Sequence, residues 1–113
     1  MSATIPAAEA LRLRDLIAPT ERGIASRVLA KTQGGNVTLF AFDAGEGLTE
    51  HTTPYDALAL VIDGTITFTI GGKPVAAGAG TIVRLPADVP HAVETGDAAR
   101  MLLIMLREPK TSS

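Results

Sequence analysis

Two histidines, His51 and His91, are the only side chains of this sequence whose ordinary pKa lies near neutrality, and the chain contains no cysteine. With thiolates excluded, a metal must be held by imidazole, carboxylate or carbonyl ligands, and disulfides and Cys-ligated clusters are ruled out. Each histidine follows a group of chain-breaking residues, Gly45-x5-His51 on one side and Pro86-x4-His91 on the other. Such positions suit strand edges at a pocket mouth. Two neutral imidazoles bind a transition ion when water, substrate or a carboxylate completes the shell, and the nearby carboxylates are Glu46, Glu50, Asp56 and Asp63. In an extended segment the Glu50 side chain points opposite to that of His51. Without a metal, the pair reads as a general acid/base that needs an orienting partner. It reads equally as two pocket-wall residues satisfied by each other, by Thr53 or by water.

Other candidates carry less specific chemistry. Met101, Leu103 and Met105 share one face of an apolar run, where they either line a pocket or pack the core. Tyr55 overhangs the mouth or packs in a loop. Arg12, Arg14 and Arg27 clamp an acidic substrate or form a solvated face. Gly45-Glu46-Gly47 and Gly78-Ala79-Gly80 lead into no helix followed by Lys-Ser/Thr, so they are strand turns and not phosphate loops.

The elements that must position these residues are strands. Breakers fall at Gly34-Gly35, Gly45 to Gly47, Pro54, Gly64, Gly71 to Pro74, Gly78 to Gly80, Pro86 to Pro90 and Gly96. A spacing of roughly 8 to 12 residues marks an all-β sandwich or barrel and leaves no room for a long helix. The runs Asn36 to Asp43, Ala57 to Asp63, Thr65 to Ile70, Thr81 to Leu85 and Arg100 to Arg107 are rich in β-branched and large apolar residues. In Thr65 to Ile70 the alternation is strict, with Ile66, Phe68 and Ile70 on the core face. Gly71-Gly72 then predicts a tight hairpin returning antiparallel as Lys73 to Ala77. Residues 7–17 fit a helix or an arm strand, and the alternation of Leu11 and Leu13 with Arg12 and Arg14 favours the strand. Lys110 to Ser113 reads as a frayed tail. The chain therefore divides into an arm (1–23), one domain (24–108) and a tail (109–113).

Hydrophobic residues make up 46% of the chain but aromatics only 4%, so Ala, Leu, Ile and Val must fill the core. The net charge of −2, without a basic block, leaves no footprint for nucleic acid or anionic lipid. The longest apolar runs, Ala57 to Ile62 and Met101 to Leu106, are six residues each, when a spanning helix needs about 20. No secretion signal is evident, and a cytoplasmic location is expected by default. Those two runs are apolar on both faces. Each needs cover on both sides, from the arm folding back or from a second copy in a homodimer.

The segment Gly45-Glu46-Gly47-Leu48-Thr49-Glu50-His51-Thr52-Thr53-Pro54-Tyr55-Asp56-Ala57, running on through Val61-Ile62-Asp63-Gly64, resembles the first cupin motif, G-x5-H-x-H-x3-4-E-x6-G. Gly80-x5-Pro86-Ala87-Asp88-Val89-Pro90-His91-x3-Thr95 resembles the second, G-x5-P-x-G-x2-H-x3-N. The resemblance covers residues 24–108 and implies a small single-domain bacterial cupin of the RmlC-like superfamily: an antiparallel jelly-roll, or double-stranded β-helix, barrel, often a homodimer. It implies Fe, Mn, Ni, Cu or Zn held by three His and one Glu. Here the first His maps to His51, the second to Thr53, the Glu to Ala57 and the last His to His91, so half the ligand set is missing. The expected pocket lies between the His51/His91 end and the Met101/Met105 strand, lined also by Thr53 and Ala57, and takes a small organic molecule. What remains open is whether it supports metal-assisted oxygenase or isomerase chemistry, or serves a non-catalytic binding or sensing module without metal.

Overall fold

The computed structural model describes residues 4–108, so the expected frayed tail lies outside the described residues. The breaker spacing resolves into nine strands: β1 (Ile24–Thr32), β2 (Gly35–Phe42), β3 (Gly47–His51), β4 (Asp56–Asp63), β5 (Thr65–Ile70), β6 (Lys73–Gly78), β7 (Ile82–Leu85), β8 (His91–Thr95) and β9 (Ala99–Leu106). They build an all-β antiparallel jelly roll from two sheets, ordered β1-β2-β9-β4-β7 and β3-β8-β5-β6. No helix among the described residues is long and apolar enough to cross a membrane.

Two glycine sites turn the chain, one from sheet to sheet and one within the smaller sheet. At Gly64, φ is +74° and an added Cβ would lie 2.5 Å from the Ala98 carbonyl oxygen and 2.7 Å from the Ala99 Cβ. Only glycine turns β4 into β5 at that corner. At Gly71 and Gly72, φ is +56° and +84°, which closes the β5–β6 hairpin with Ile70 opposite Lys73. The alternation of β5 does what its sequence predicts: Ile66 and Phe68 are fully buried. They join Phe42, Val61, Leu85, Val93 and Met101 in the core, with Ala57, Ala59, Ala77 and Ala99 filling the spaces around the rings.

Strand β9 is the middle of the larger sheet, pairing β2 on one side and β4 on the other. Its inward row, Ala99, Met101 and Leu103, belongs to the core. On the outer face the register aligns Ile82, Leu60, Leu102 and Leu39 in one row. Leu39 and Ala41 are fully buried there although neither belongs to the main core. The arm provides the cover. Arg27 Nη1 donates to the Leu16 carbonyl at 3.2 Å and Arg100 Nε to the Ile17 carbonyl at 3.0 Å, which lays residues 16 and 17 across that face.

The arm strand favoured by the sequence is not formed. Residues 7–17 contain a single 3-10 turn, Leu13–Asp15. Guanidinium groups, and not a neighbouring strand, meet the carbonyls of Leu16 and Ile17, while Arg14 is drawn to Asp63 at 3.3 Å. The alternating Leu and Arg residues thus serve side-chain contacts without a ladder.

Candidate functional site

The two histidines meet across the β3–β8 pair. Gly47 stands opposite Glu94 and Leu48 opposite Val93, but His51, not Glu50, stands opposite His91, because β3 carries one extra residue between Leu48 and His51. This bulge sets the site. Without it the period-2 alternation would bring Glu50 against His91 and turn His51 away. The ring centroids lie 4.3 Å apart with the planes inclined at 67°. His91 is 6% exposed and His51 is exposed, so one ring forms the floor and the other the rim.

Each ring is held in the same way by its own strand. His51 Nδ1 lies 2.9 Å from the Thr49 carbonyl oxygen, and His91 Nδ1 lies 3.3 Å from that of Val89. A carbonyl only accepts, so each Nδ1 carries the proton and each Nε2 is left with its lone pair. The arrangement therefore leaves the Nε2 of each ring, on two rings in contact, as an acceptor.

Burial of the ring holds the His91 pKa below its ordinary 6.5, helped by the neighbouring His51 and opposed by the bond to Val89. A lowered histidine pKa means the unfolded chain takes up the proton more readily. The stability contributed by neutral His91 is fully present above pH 6.5 and is lost as pH falls through that value toward the folded-state pKa. We expect the His91 ring-proton resonance to titrate with a midpoint below 6.5, and His91→Gln to flatten the acid side of the thermal-stability profile. A midpoint at or above 6.5 contradicts the desolvated floor.

The other residues singled out by sequence take different places. Thr53 is half-buried, its hydroxyl donates to the Tyr55 carbonyl at 3.0 Å, and its own carbonyl accepts the Asp88 N–H at 2.8 Å. That last bond ties the loop after His51 to the loop before His91. Ala57 and Met101 are 4% and 1% exposed and belong to the packed core. Met105 is half-buried opposite Ala57. The structure therefore brings His51 and His91 into contact, joins Thr53 to them through the loops, and sets Ala57 and Met101 among core side chains.

The donor set does not fit a tightly held resident metal. Among the described residues no three His, Cys, Asp or Glu side chains converge. Asp56 is engaged elsewhere: Oδ1 accepts the Ala87 N–H at 2.7 Å and Oδ2 accepts Arg84 Nη2 at 3.1 Å. The Ala87 N–H first, then Arg84, hold its carboxyl below the usual range. Asp63, at the far end of β4, pairs with Arg100 at 2.8 Å. Glu50 is exposed, and the bulge gives His51 the place opposite His91. Thr53 offers a neutral hydroxyl already bonded to the backbone, and Ala57 offers no donor at all.

Of the three arginines read as a clamp, Arg14 and Arg27 serve the arm. Arg107, which no local pattern marks, comes instead to the Tyr55 ring, with its guanidinium carbon 5.2 Å from the ring centroid. The register of β4 against β9 joins two residues 52 positions apart, so no spacing in the sequence could have paired them.

Residues 38–106 match the family model described as the cupin domain. No curated protein matches the sequence. Among solved structures, the chain is similar to a conserved protein of unknown function from Streptococcus pyogenes, with a TM-score of 0.88 and 27% identity over 95% of this chain and 94% of that one. It is similar to a cupin superfamily protein from Desulfitobacterium hafniense, with a TM-score of 0.86 and 27% identity over 93% and 96% of the two chains. A cupin 2 conserved barrel domain protein from Leptotrichia buccalis shares 35% identity at a TM-score of 0.79, over 82% of this chain and 45% of that one.

Proposed function

The chain belongs to the cupin domain family, and from that premise we propose that it binds a small organic molecule at the barrel mouth through His51 and His91, without a resident metal. The observation that carries this reading is the pair of Nδ1–carbonyl bonds, which leave the Nε2 of each of two touching rings as an acceptor. Such a pair receives hydroxyl or amide N–H donors, and an exposed rim beside a buried floor gives a ligand entry on one side only. Two imidazoles hold an ion weakly unless the ligand completes its shell. The same lone pairs favour a second reading, metal-assisted oxygenase or isomerase chemistry with substrate supplying the missing ligands.

Ligand-observed NMR with a panel of small hydroxylated compounds tests the first reading. Bound compounds should lose affinity by about tenfold or more in both His51→Ala and His91→Ala, as expected when a hydrogen-bond acceptor is removed from a partly buried site. Binding that survives both substitutions would place the ligand elsewhere. Retention of one Mn, Ni or Zn ion per untagged chain through gel filtration would favour the metal-assisted reading.

The same proposal includes a homodimer formed by the outer face of the larger sheet. The arm meets this face at Arg27 and Arg100 and leaves the β4–β7 part of the leucine row less covered. Along the register row that buries Leu39, Leu102 and Leu60 are half-buried and Ile82 is 58% exposed, while Leu106 nearby is 49% exposed. Contiguous apolar surface of this kind marks an interaction site. Leu60→Glu should convert the dimer to a folded monomer in light scattering. Wild-type protein that is monomeric at every concentration would remove the interface.

A further inference from the structure

We propose that the cleft between Tyr55 and Arg107 is a carboxylate-binding subsite of the histidine mouth, so that the molecule bound there is a small organic acid. The inference rests on the reading of His51 and His91 as a ligand site and adds the class of ligand.

Tyr55 and Arg107 stand one pair beyond Asp56 and Leu106, the last matched residues of β4 and β9 at the open end. The backbone N–H of Arg107 donates to the Gly34 carbonyl at 2.8 Å, which fixes the chain past the end of β9. The guanidinium carbon lies over the Tyr55 ring, 5.2 Å from the centroid. A cation–π contact uses none of the guanidinium N–H groups, which leaves them for an acceptor.

Those donors have work left to do. Arg107 Nε is buried and, among the described residues, has no hydrogen-bond partner. Folded proteins meet nearly all such groups, so this donor lacks an acceptor that a carboxylate entering beside the guanidinium would supply. Both residues line a cleft of about 500 Å³, together with Asp56, Ala87 and Glu108. Asp56 is turned to other partners, its Oδ1 accepting the Ala87 N–H and its Oδ2 accepting Arg84. Its charge is also balanced by Arg84. Among the described residues Arg107 is the only cation lining the cleft, which suits one carboxylate better than a phosphate dianion, for which clusters of donors are usual.

The two loops that lead from the histidines also supply lining residues of the cleft. Tyr55 is four residues from His51 and Ala87 four residues from His91, each at most about 14 Å along an extended chain. The Asp88 N–H to Thr53 carbonyl bond pins the two loops together. A molecule of a few carbons, with a carboxylate on Arg107 and a hydroxyl or amide donor toward an imidazole Nε2, joins the two parts.

The test follows the Arg107 Nε–H and histidine ring resonances by NMR during titration with butyrate, 3-hydroxybutyrate, butyramide and inorganic phosphate. 3-Hydroxybutyrate should shift both sets of resonances saturably, and butyramide neither. Arg107→Met should weaken the acid by about tenfold or more, and Arg107→Lys should recover only part of that loss, because an ammonium lacks the planar fork. A native backbone amide spectrum verifies folding of each variant. The subsite is overturned if the amide binds as well as the acid, if phosphate binds more tightly than either acid, if Arg107→Met leaves acid affinity unchanged, or if Arg107 responds while the rings do not. It is overturned as well if Glu108→Gln shifts Arg107 Nε–H in the absence of any probe, since Glu108 would then be its acceptor. Ring shifts with neutral hydroxylated compounds but no preference for acids would remove this inference and leave the histidine site. Rings that respond to no compound would remove the histidine site itself.

Discussion

Phe68→Ala should cost about 3–5 kcal/mol of folding stability, the range for removing a buried phenylalanine, and lower the melting temperature by roughly 10–20 °C. Phe68 is fully buried, with Val75 and Val93 as its cross-strand neighbours. The sequence has only three phenylalanines and no tryptophan. Around this ring the core contains Ala59, Ala77 and Ala99, side chains with no torsion that could swing into the space left behind. The hole would therefore stay largely open, which places the loss toward the upper part of the range. Since a domain of this size is stable by about 5–15 kcal/mol, the loss is a large fraction of the total. A loss below about 1 kcal/mol in a denaturant titration would mean that the core is looser than the burial of these residues indicates.

Restoring the family's four ligands should have the second large effect. Ala57→Glu alone places a carboxylate at a core position with Leu85 and Met105 as its cross-strand neighbours. An unpaired buried carboxylate is costly, so the single variant should lose several kcal/mol or bind a proton to remain folded. With Thr53→His added, Mn, Ni or Zn should bind more tightly than to the wild type by several orders of magnitude and raise the melting temperature back toward its original value, since binding to the folded form adds to stability. Calorimetry and thermal shift measure both quantities. If the double variant binds no better than the wild type, the segment from His51 to Ala57 no longer holds the backbone geometry that four ligands need. The Thr53 hydroxyl bond to Tyr55 would be one cause of such a change.

The elements legible in the sequence are those whose physics is local. The strict alternation of β5 and the paired glycines after it specify a strand and a hairpin without help from the rest of the chain. Strand β1 was not singled out, because the bulge between Val28 and Ala30 breaks its alternation and Ser26, Arg27, Lys31 and Thr32 are exposed. Strands β3 and β8 are five residues each, too short and polar to announce themselves by composition. The conformation of residues 7–17 is not legible, because alternation of Leu with Arg says nothing about whether carbonyls will meet a strand or a guanidinium. In the site, His51 and His91 are 40 residues apart, and only the two motif spacings suggested a common mouth. The bulge that sets His51 opposite His91 has no sequence mark, since an extra residue in β3 is defined only by its partner β8.

The central place of β9 in the larger sheet has a consequence for how the molecule comes to be folded. A growing chain that has reached β7 holds β1–β2 and β4–β7 as two separate pieces, because the strand that must lie between them has not been made. Neither piece can close the core, and the outer row of Leu39 and Leu60 stays split until Leu102 arrives. Most neighbours in the finished structure are distant in sequence, with β2 waiting for β9 and β3 for β8, and such topologies pass slowly over their barrier. For that interval the unpaired edges of β2 and β4 are open to the matching edges of other nascent chains, so the fold depends on the speed with which one late strand is inserted.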